Sequence, residues 1–324
     1  MQLTTMVNRT ISYERNPVID PRYAHCLGIG SDQGPGDDNE LDYEHQQLIG
    51  SRLLSFTYTN FHEVYDGSQG GGDAPGNPTP ADVTPIVNAG VGIINYTGHG
   101  SASAFSTSGF SSTQVDQLTN TQVWPFIFSV ACVNGDFVNN TCFAEHWLRA
   151  KHPTTDAPTG AIAVIMSTIN QSWNPPMEGQ DEMNEIMIET FASNIKRSFG
   201  GITMNGCMKM NDTYGGGGED MTDTWTIFGD PSVMVRTKDA VSMTVSHAPS
   251  MILGATSFSV ACNMNDAQVT LWQSGQILGT GTVSGGNVTV NFAVPVSSTA
   301  QVTVTAVGFN CAPYQGPVSV IPPA

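Results

Sequence analysis

The sequence predicts an α/β layer with a mostly parallel sheet, followed by an all-β sandwich. Three observations lead there. Short apolar runs, Val91–Asn95, Pro125–Ala131 and Ala161–Met166, are each bounded by turn residues, as suits strands buried on both faces. Such runs alternate with amphipathic stretches from about residue 26 to residue 238, the pattern of a sheet flanked by helices. After Lys238 the segments SMTVSHAP, TSFSVACN, AQVTLWQ, NVTVNFAV and AQVTVTAV alternate with period two between Gly, Asn and Ser turns, the pattern of a sandwich. The expected domains are residues 26–238 and 239–324, with residues 1–25 a polar lead-in.

Taken in order, Cys26–Ile29 reads as a short strand, and it runs into a Gly- and Asp-dense loop, SDQGPGDDNELDYEH. Leu41–Phe56 places Leu41, Leu48, Leu53 and Leu54 at roughly helical spacing. Residues 67–80, GSQGGGDAPGNPTP, read as a flexible surface insertion. Pro80–Asn88 reads as a helix capped by Thr79, with proline in its first turn. Ser111–Leu118 opens with a capping-box spacing, Ser111 to Gln114. Phe143–Ala150 reads as a helix, and so does Glu178–Phe191, whose acids at the start suit the helix dipole.

Composition narrows the function. The chain has 324 residues and a formal net charge of −17, which argues against a nucleic-acid partner. An acidic surface favours cationic partners, although solubility alone would explain it. No apolar run approaches the roughly 18 residues of a membrane span. The start, MQLTTMVNRTISYERN, lacks the apolar core of a signal peptide. None of the six cysteines forms a CxxC pair, so a zinc knuckle is not expected. Cys262 and Cys311 fall in the last domain and would fit either a disulfide or two buried thiols.

The chemistry gathers between Gly90 and Cys132. His99 follows the first apolar run and Cys132 the second, 33 positions later. If the two strands are parallel neighbours, both groups lie at the carboxyl edge of one sheet, where open α/β sheets place their sites. A Cys–His dyad follows: a base to form the thiolate, and amides to hold an oxyanion. Gly98 and Gly100 allow a tight turn around His99, and the N–H groups of Gly100 and Cys132 are the natural oxyanion donors. A turn histidine near a buried cysteine by chance is the bland alternative. Asp32, Asp37, Asp38, Glu40 and Asp42 all compete to orient the histidine, and spacing alone does not rank them. His99, Cys132, Asp136, Glu145 and His146 can be drawn as metal ligands, but no HExxH-type spacing supports a catalytic metal. The GSQGGGD and YGGGGED runs lack the GK[ST] of a phosphate loop.

The blocks NYTGHGSA, LTN, PFIFSVACVNGDF, CFAE, STINQSW, PPMEGQDEMNEI, NIKRSFGG and DTWTIFGDPS occur in order from about Arg9 to Arg236. In them the chain resembles the gingipain family of secreted cysteine peptidases, most closely the arginine-specific members. The resemblance implies a caspase-like α/β catalytic domain followed by an immunoglobulin-like domain. His99 matches the catalytic histidine, Cys132 the nucleophile, and Asp32 the third catalytic carboxylate. Asp42, three residues before His45, matches the aspartate at the base of the primary specificity pocket. Trp173 matches the pocket's aromatic lid and Met177 another wall, while Thr97, Gly98 and Val130 match backbone-lining positions. A fixed carboxylate in an apolar slot reads guanidinium through a planar, directional pair.

The resemblance therefore implies cleavage after arginine in proteins or peptides, at the cell surface or outside the cell. It implies no cofactor for catalysis, and structural calcium with unassigned ligands. Departures are also visible. Residues 1–25 correspond only to the tail of a leading subdomain, the insertion at 67–80 is longer than usual, and Glu178 stands where relatives carry a basic residue. Lysine or broader specificity, or an inactive adhesive module keeping the fold, are the alternative expectations.

Overall fold

The computed structural model describes residues 2–323. The chain divides into two compact units, one of Met1–Tyr13 with Asp20–Asp239 and one of Glu14–Ile19 with Ala240–Ala324. In chain order the elements of the first stretch are α1 (Gln2–Arg15), β1 (His25–Gly30), α2 (Asp42–Leu54), β2 (Asn60–Tyr65), α3 (Pro80–Ala89) and β3 (Ile93–Thr97). A small excursion follows, made of β4 (Gly100–Ser101), β5 (Ala104–Phe105), β6 (Phe110–Ser111) and α4 (Ser112–Val115). Then come β7 (Phe126–Val130), α5 (Phe143–Arg149), β8 (Ala163–Ser167), α6 (Asn174–Met187), α7 (Phe199–Tyr214), α8 (Gly216–Thr222) and β9 (Trp225–Phe228).

Six of these strands form one sheet in the order β2-β1-β3-β7-β8-β9. All neighbours are parallel except β8 and β9, which are antiparallel. The central strands β3, β7 and β8 are buried along their whole length, which is why they read as unbroken apolar runs rather than alternating ones. Phe126 and Phe128 pack against Phe199 of α7, and Phe143 of α5 stacks edge-on against Phe105 and Trp147. Each such ring stabilises the fold by roughly 1.5–3 kcal/mol relative to exposure.

The second unit contains a three-stranded sheet and a five-stranded sheet. Alternate residues of Gln268–Gln273 and Asn287–Asn291 are buried, and Val260, Leu271, Val290, Val304 and Val318 form the core between them. Cys262 and Cys311 are both buried thiols, so the structure carries the second of the two options open from sequence.

Several boundaries differ from the sequence expectation. The lead-in contains a 14-residue helix, α1, because its few inward residues, Thr5, Arg9 and Tyr13, bury polar atoms instead of an apolar stripe. The Arg9 guanidinium donates to the carbonyls of Leu148 and Thr159, and the Tyr13 hydroxyl to that of Met234 at 2.9 Å. Helix α6 starts at Asn174 rather than Glu178 and has no acid in its first turn; Pro175 and Pro176 occupy that turn instead, where a missing N–H costs nothing. The predicted helix over Ser111–Leu118 shortens to α4, although its capping box forms, with the Ser111 amide 3.0 Å from Gln114 Oε1. Strand β3 ends at Thr97, two residues later than its apolar run suggests. Strand β2 and helices α7 and α8 were not read from sequence, since NFHEVY and the Gly- and Met-rich segment carry no clean period.

Candidate active site

The register of the sheet brings the reactive residues together. Thr97, the last residue of β3, pairs with Val130, the last of β7. His99 and Cys132 therefore each lie two residues past the ends of adjacent parallel strands. The ladder extends slightly beyond, because the Gly98 amide donates to the Val130 carbonyl at 3.1 Å. Gly30 at the end of β1 pairs with both Thr97 and Tyr65. Ser31, Asp32 and, after β2, Asp66 thus share the same edge.

The two turns are locked to one another. Asn134 is buried, its Nδ2 donates to the carbonyls of Ser101 at 2.7 Å and Ala104 at 2.9 Å, and its Oδ1 accepts from Ser129. Gly100 presses on the nucleophile turn so closely that an added Cβ would meet the Cys132 carbonyl oxygen at 2.5 Å. Only glycine fits there. Tyr96 stacks on Phe105 and its hydroxyl donates to the His99 carbonyl, so the histidine's backbone is held while its ring stays exposed. Directly after Cys132, Val133 has φ +48°, a left-handed conformation that a β-branched residue resists. Its amide is held by the Ile169 carbonyl at 2.9 Å.

A small cavity, open to solvent, lies beside the thiol, lined by Gly98, Val130, Ala131, Cys132, Gln171, Ser172 and Trp173. Cys132 Sγ lies 3.9 Å from the Gln171 carbonyl oxygen. The Trp173 ring meets the His99 ring edge-on, with centroids 5.2 Å apart, and its indole N–H donates to Asp42 Oδ1 at 2.8 Å. Ser31 Oγ donates to the other oxygen, Oδ2. Asp42 is the first residue of α2 and is fully buried. Burial raises its pKa to about 6, against the bonds from Ser31 and Trp173 and the charges of His45 and His99.

Not every expected residue sits at this cavity. Thr97, expected there through its backbone, is absent from the lining, and its hydroxyl points into a buried network, bonding Gln46 at 2.8 Å and Gln180 at 2.7 Å. Met177 is buried against Gly36, in the wall that carries the loop before α2. Asp32 is exposed and accepts from the Gln33 side chain at 3.0 Å, and no hydrogen bond joins it to His99 among the described residues. Asp66, absent from the sequence reading, is a second carboxylate at that edge; burial first, then Asp32, raise its pKa, and His99 opposes. Ser31, Asn134, Gln171 and Gln180 were likewise missed. The turn context of Asn134 was a usable signal; the others had none.

A second cluster lies in the loop before α2, near Met177. Ligand atoms of Asp37, Glu40 and His45 come within 4.8 Å of one another. Both carboxylate oxygens of buried Glu40 lack a hydrogen-bond partner, as do Asp37 Oδ1 and Asp181 Oδ1. Gln180 donates its Nε2 to the Tyr96 and Phe128 carbonyls at 3.2 and 3.0 Å, so its Oε1 faces His45 Nε2 at 3.1 Å. His45 therefore carries a proton on Nε2 and turns Nδ1 towards Glu40 at 3.3 Å and Asp181 at 3.9 Å. Burial pushes the Asp37 carboxyl up; His45 holds Glu40 down against its own burial.

A cysteine and a histidine past neighbouring parallel strands, with helices packed on the sheet, define a caspase-like α/β unit with a Cys–His site. The chain belongs to peptidase family C25: the family model matches residues 1–236, and the family's C-terminal ig-like domain matches residues 247–321. Gingipain R2 of Porphyromonas gingivalis is 44% identical over 313 residues, covering 95% of this chain and 41% of the relative. Lys-gingipain from the same organism is 22% identical over 343 residues, covering 96% of this chain and 18% of the relative. The crystal structure of the Arg-specific cysteine proteinase gingipain R superposes with a TM-score of 0.92 at 42% identity, covering 98% of this chain and 72% of that one. The chain thus spans less than half the length of the curated relatives it matches.

Proposed function

We propose that the chain is a cysteine endopeptidase that cleaves proteins or peptides after arginine, outside the cell or at its surface. The observation that carries this reading is the meeting of Cys132, His99 and a buried, doubly hydrogen-bonded Asp42 around one sheet edge. His99 takes the thiol proton, and Cys132 attacks the carbonyl carbon to form a tetrahedral oxyanion held by the Gly100 and Cys132 amides. Collapse expels the amine, which receives the proton from His99. Water, activated by His99, then hydrolyses the thioester and restores the thiol. Asp32, past the neighbouring strand end, is the carboxylate that would orient His99, a bond it does not make among the described residues of the free chain. Gly98 and Val130 flank the entering side chain, Trp173 covers it, and Met177 supports the wall. Asp42 keeps free lone pairs on both oxygens for a guanidinium, whose planar fork suits two parallel bonds. The 44% identity to gingipain R2, against 22% to Lys-gingipain, supports arginine over lysine.

Calcium fits the cluster near Met177. Asp37 and Glu40 present unpartnered buried oxygens, the hard donors that Ca²⁺ takes. They would hold the ion, with His45 and Asp181 bordering it, and its charge would steady the loop carrying Asp42. No step of the hydrolysis passes through it.

The test is hydrolysis of fluorogenic peptides carrying arginine, lysine or a neutral residue before the cleaved bond, by the whole chain under reducing conditions. Arginine substrates are cleaved, and Cys132→Ala abolishes cleavage. No thiol-dependent cleavage sinks the peptidase reading. Cleavage after lysine alone sinks the role of Asp42.

A further inference from the structure

Gln171 has a half-completed set of hydrogen bonds at the Cys132 cavity. Its Oε1 accepts from the Ala131 amide at 3.0 Å. That bond settles which way the carboxamide faces, because an N–H must be met by the oxygen. Nε2 is then left buried and without a partner. A buried donor in that condition destabilises the fold, and such groups in a native structure call for an explanation. The residue is not loosely held: the Val133 and Gly135 amides donate to the Ile169 and Ser167 carbonyls at 2.9 and 2.8 Å. These bonds zip residues 167–171 along the nucleophile turn. The same residue lines the cavity with Cys132, and its carbonyl is 3.9 Å from Sγ.

An acceptor brought by the substrate would complete the set. An arginine side chain cannot serve, since guanidinium offers donors only. A peptide carbonyl oxygen can. We propose that Gln171 Nε2 is a further catalytic donor, hydrogen-bonding the carbonyl oxygen of the scissile peptide as Cys132 attacks it. It adds a side-chain donor to the amides of Gly100 and Cys132. Its strength grows as the oxygen becomes charged, so its effect falls on turnover more than on binding. This assignment rests on the peptidase reading.

Two substitutions isolate the donor. Gln171→Glu keeps an oxygen for the Ala131 amide and loses the donor; Gln171→Met fills the same volume with neither group and adds no charge. Both are expected to lower kcat on an arginyl peptide by about 10- to 1,000-fold, the range for one lost oxyanion donor. KM changes less, and the rate of Cys132 alkylation by iodoacetamide stays near the wild-type rate. Wild-type kcat in either variant overturns the proposal. So does a parallel fall in hydrolysis and alkylation, which would make Gln171 a support for the turn. A wild-type chain that is alkylated at Cys132 yet cleaves no peptide brings down the peptidase reading instead, and this assignment with it.

Discussion

Asp42 carries its charge in a place that resists it. With no solvent exposure and a pKa raised to about 6 by burial, its ionised form is kept by Ser31, Trp173 and the two nearby histidines. The folded value lies above the ordinary 3.8. The group therefore favours the folded chain most below that ordinary value, and its contribution is lost as pH rises through about 6. Recognition runs the other way, since guanidinium needs the carboxylate. The KM for arginine substrates should rise as pH falls through about 6, by up to tenfold per unit. In Asp42→Asn that slope vanishes, and kcat/KM for arginine falls by at least about 100-fold, the loss expected when a buried charged pair is broken. A slope that survives in Asp42→Asn would assign it to another group. Sequence marked Asp42 only through its resemblance, as one of five acids in a loop. Complete burial together with two hydrogen bonds distinguishes it, and one of those bonds comes from Trp173, 131 positions away.

Between elements, the decisive contacts are those that hold two turns in register. Strands β3 and β7 were legible because strands buried on both faces must be apolar throughout. Their C-terminal turns were legible as a glycine-flanked His99 and a Cys132 followed by Val-Asn-Gly, without their mutual position. That position depends on Asn134, whose amide reaches across to Ser101 and Ala104. Asn134→Ala removes both bonds and leaves two carbonyls without their donor, at about 1–3 kcal/mol each. The expected outcome is a lower melting temperature together with a fall in kcat of at least about tenfold, as the dyad loses its spacing. A variant that melts earlier with unchanged kcat would show that the turns keep their register by other means. The start of α6 teaches a complementary lesson: acidic residues suggested Glu178, but Pro175 and Pro176 set the first turn, because a fixed φ and an absent N–H suit that position alone.

Across the molecule, the acidic excess has a local counterpart. Asp37, Glu40 and Asp181 converge on His45 with buried oxygens that lack well-formed hydrogen bonds, one each of Glu40 and Asp181 lying at ion-pair distance from it. Added Ca²⁺ should raise the melting temperature of the chain, with stabilisation growing as ligand exceeds its dissociation constant, and EDTA should reverse it. Glu40→Gln should abolish the calcium-dependent shift. A shift that persists in that variant would place the ion elsewhere. Among the described residues no helix is long and apolar enough to cross a membrane.

By itself, the sequence determined the α/β layer, the sandwich that follows it and the two reactive residues. Those rest on local period, turn residues and the chemistry of single side chains, all of which are written in neighbouring positions. Tertiary structure decided what the sequence left equal: that Asp42 is buried and doubly bonded while Asp32 stays exposed, that the Thr97 hydroxyl joins a buried network, and that Gln171 stands beside the thiol with an unmet donor. The reason is physical. Burial, hydrogen-bond satisfaction and pKa depend on atoms brought together from distant parts of the chain, and no local pattern encodes them.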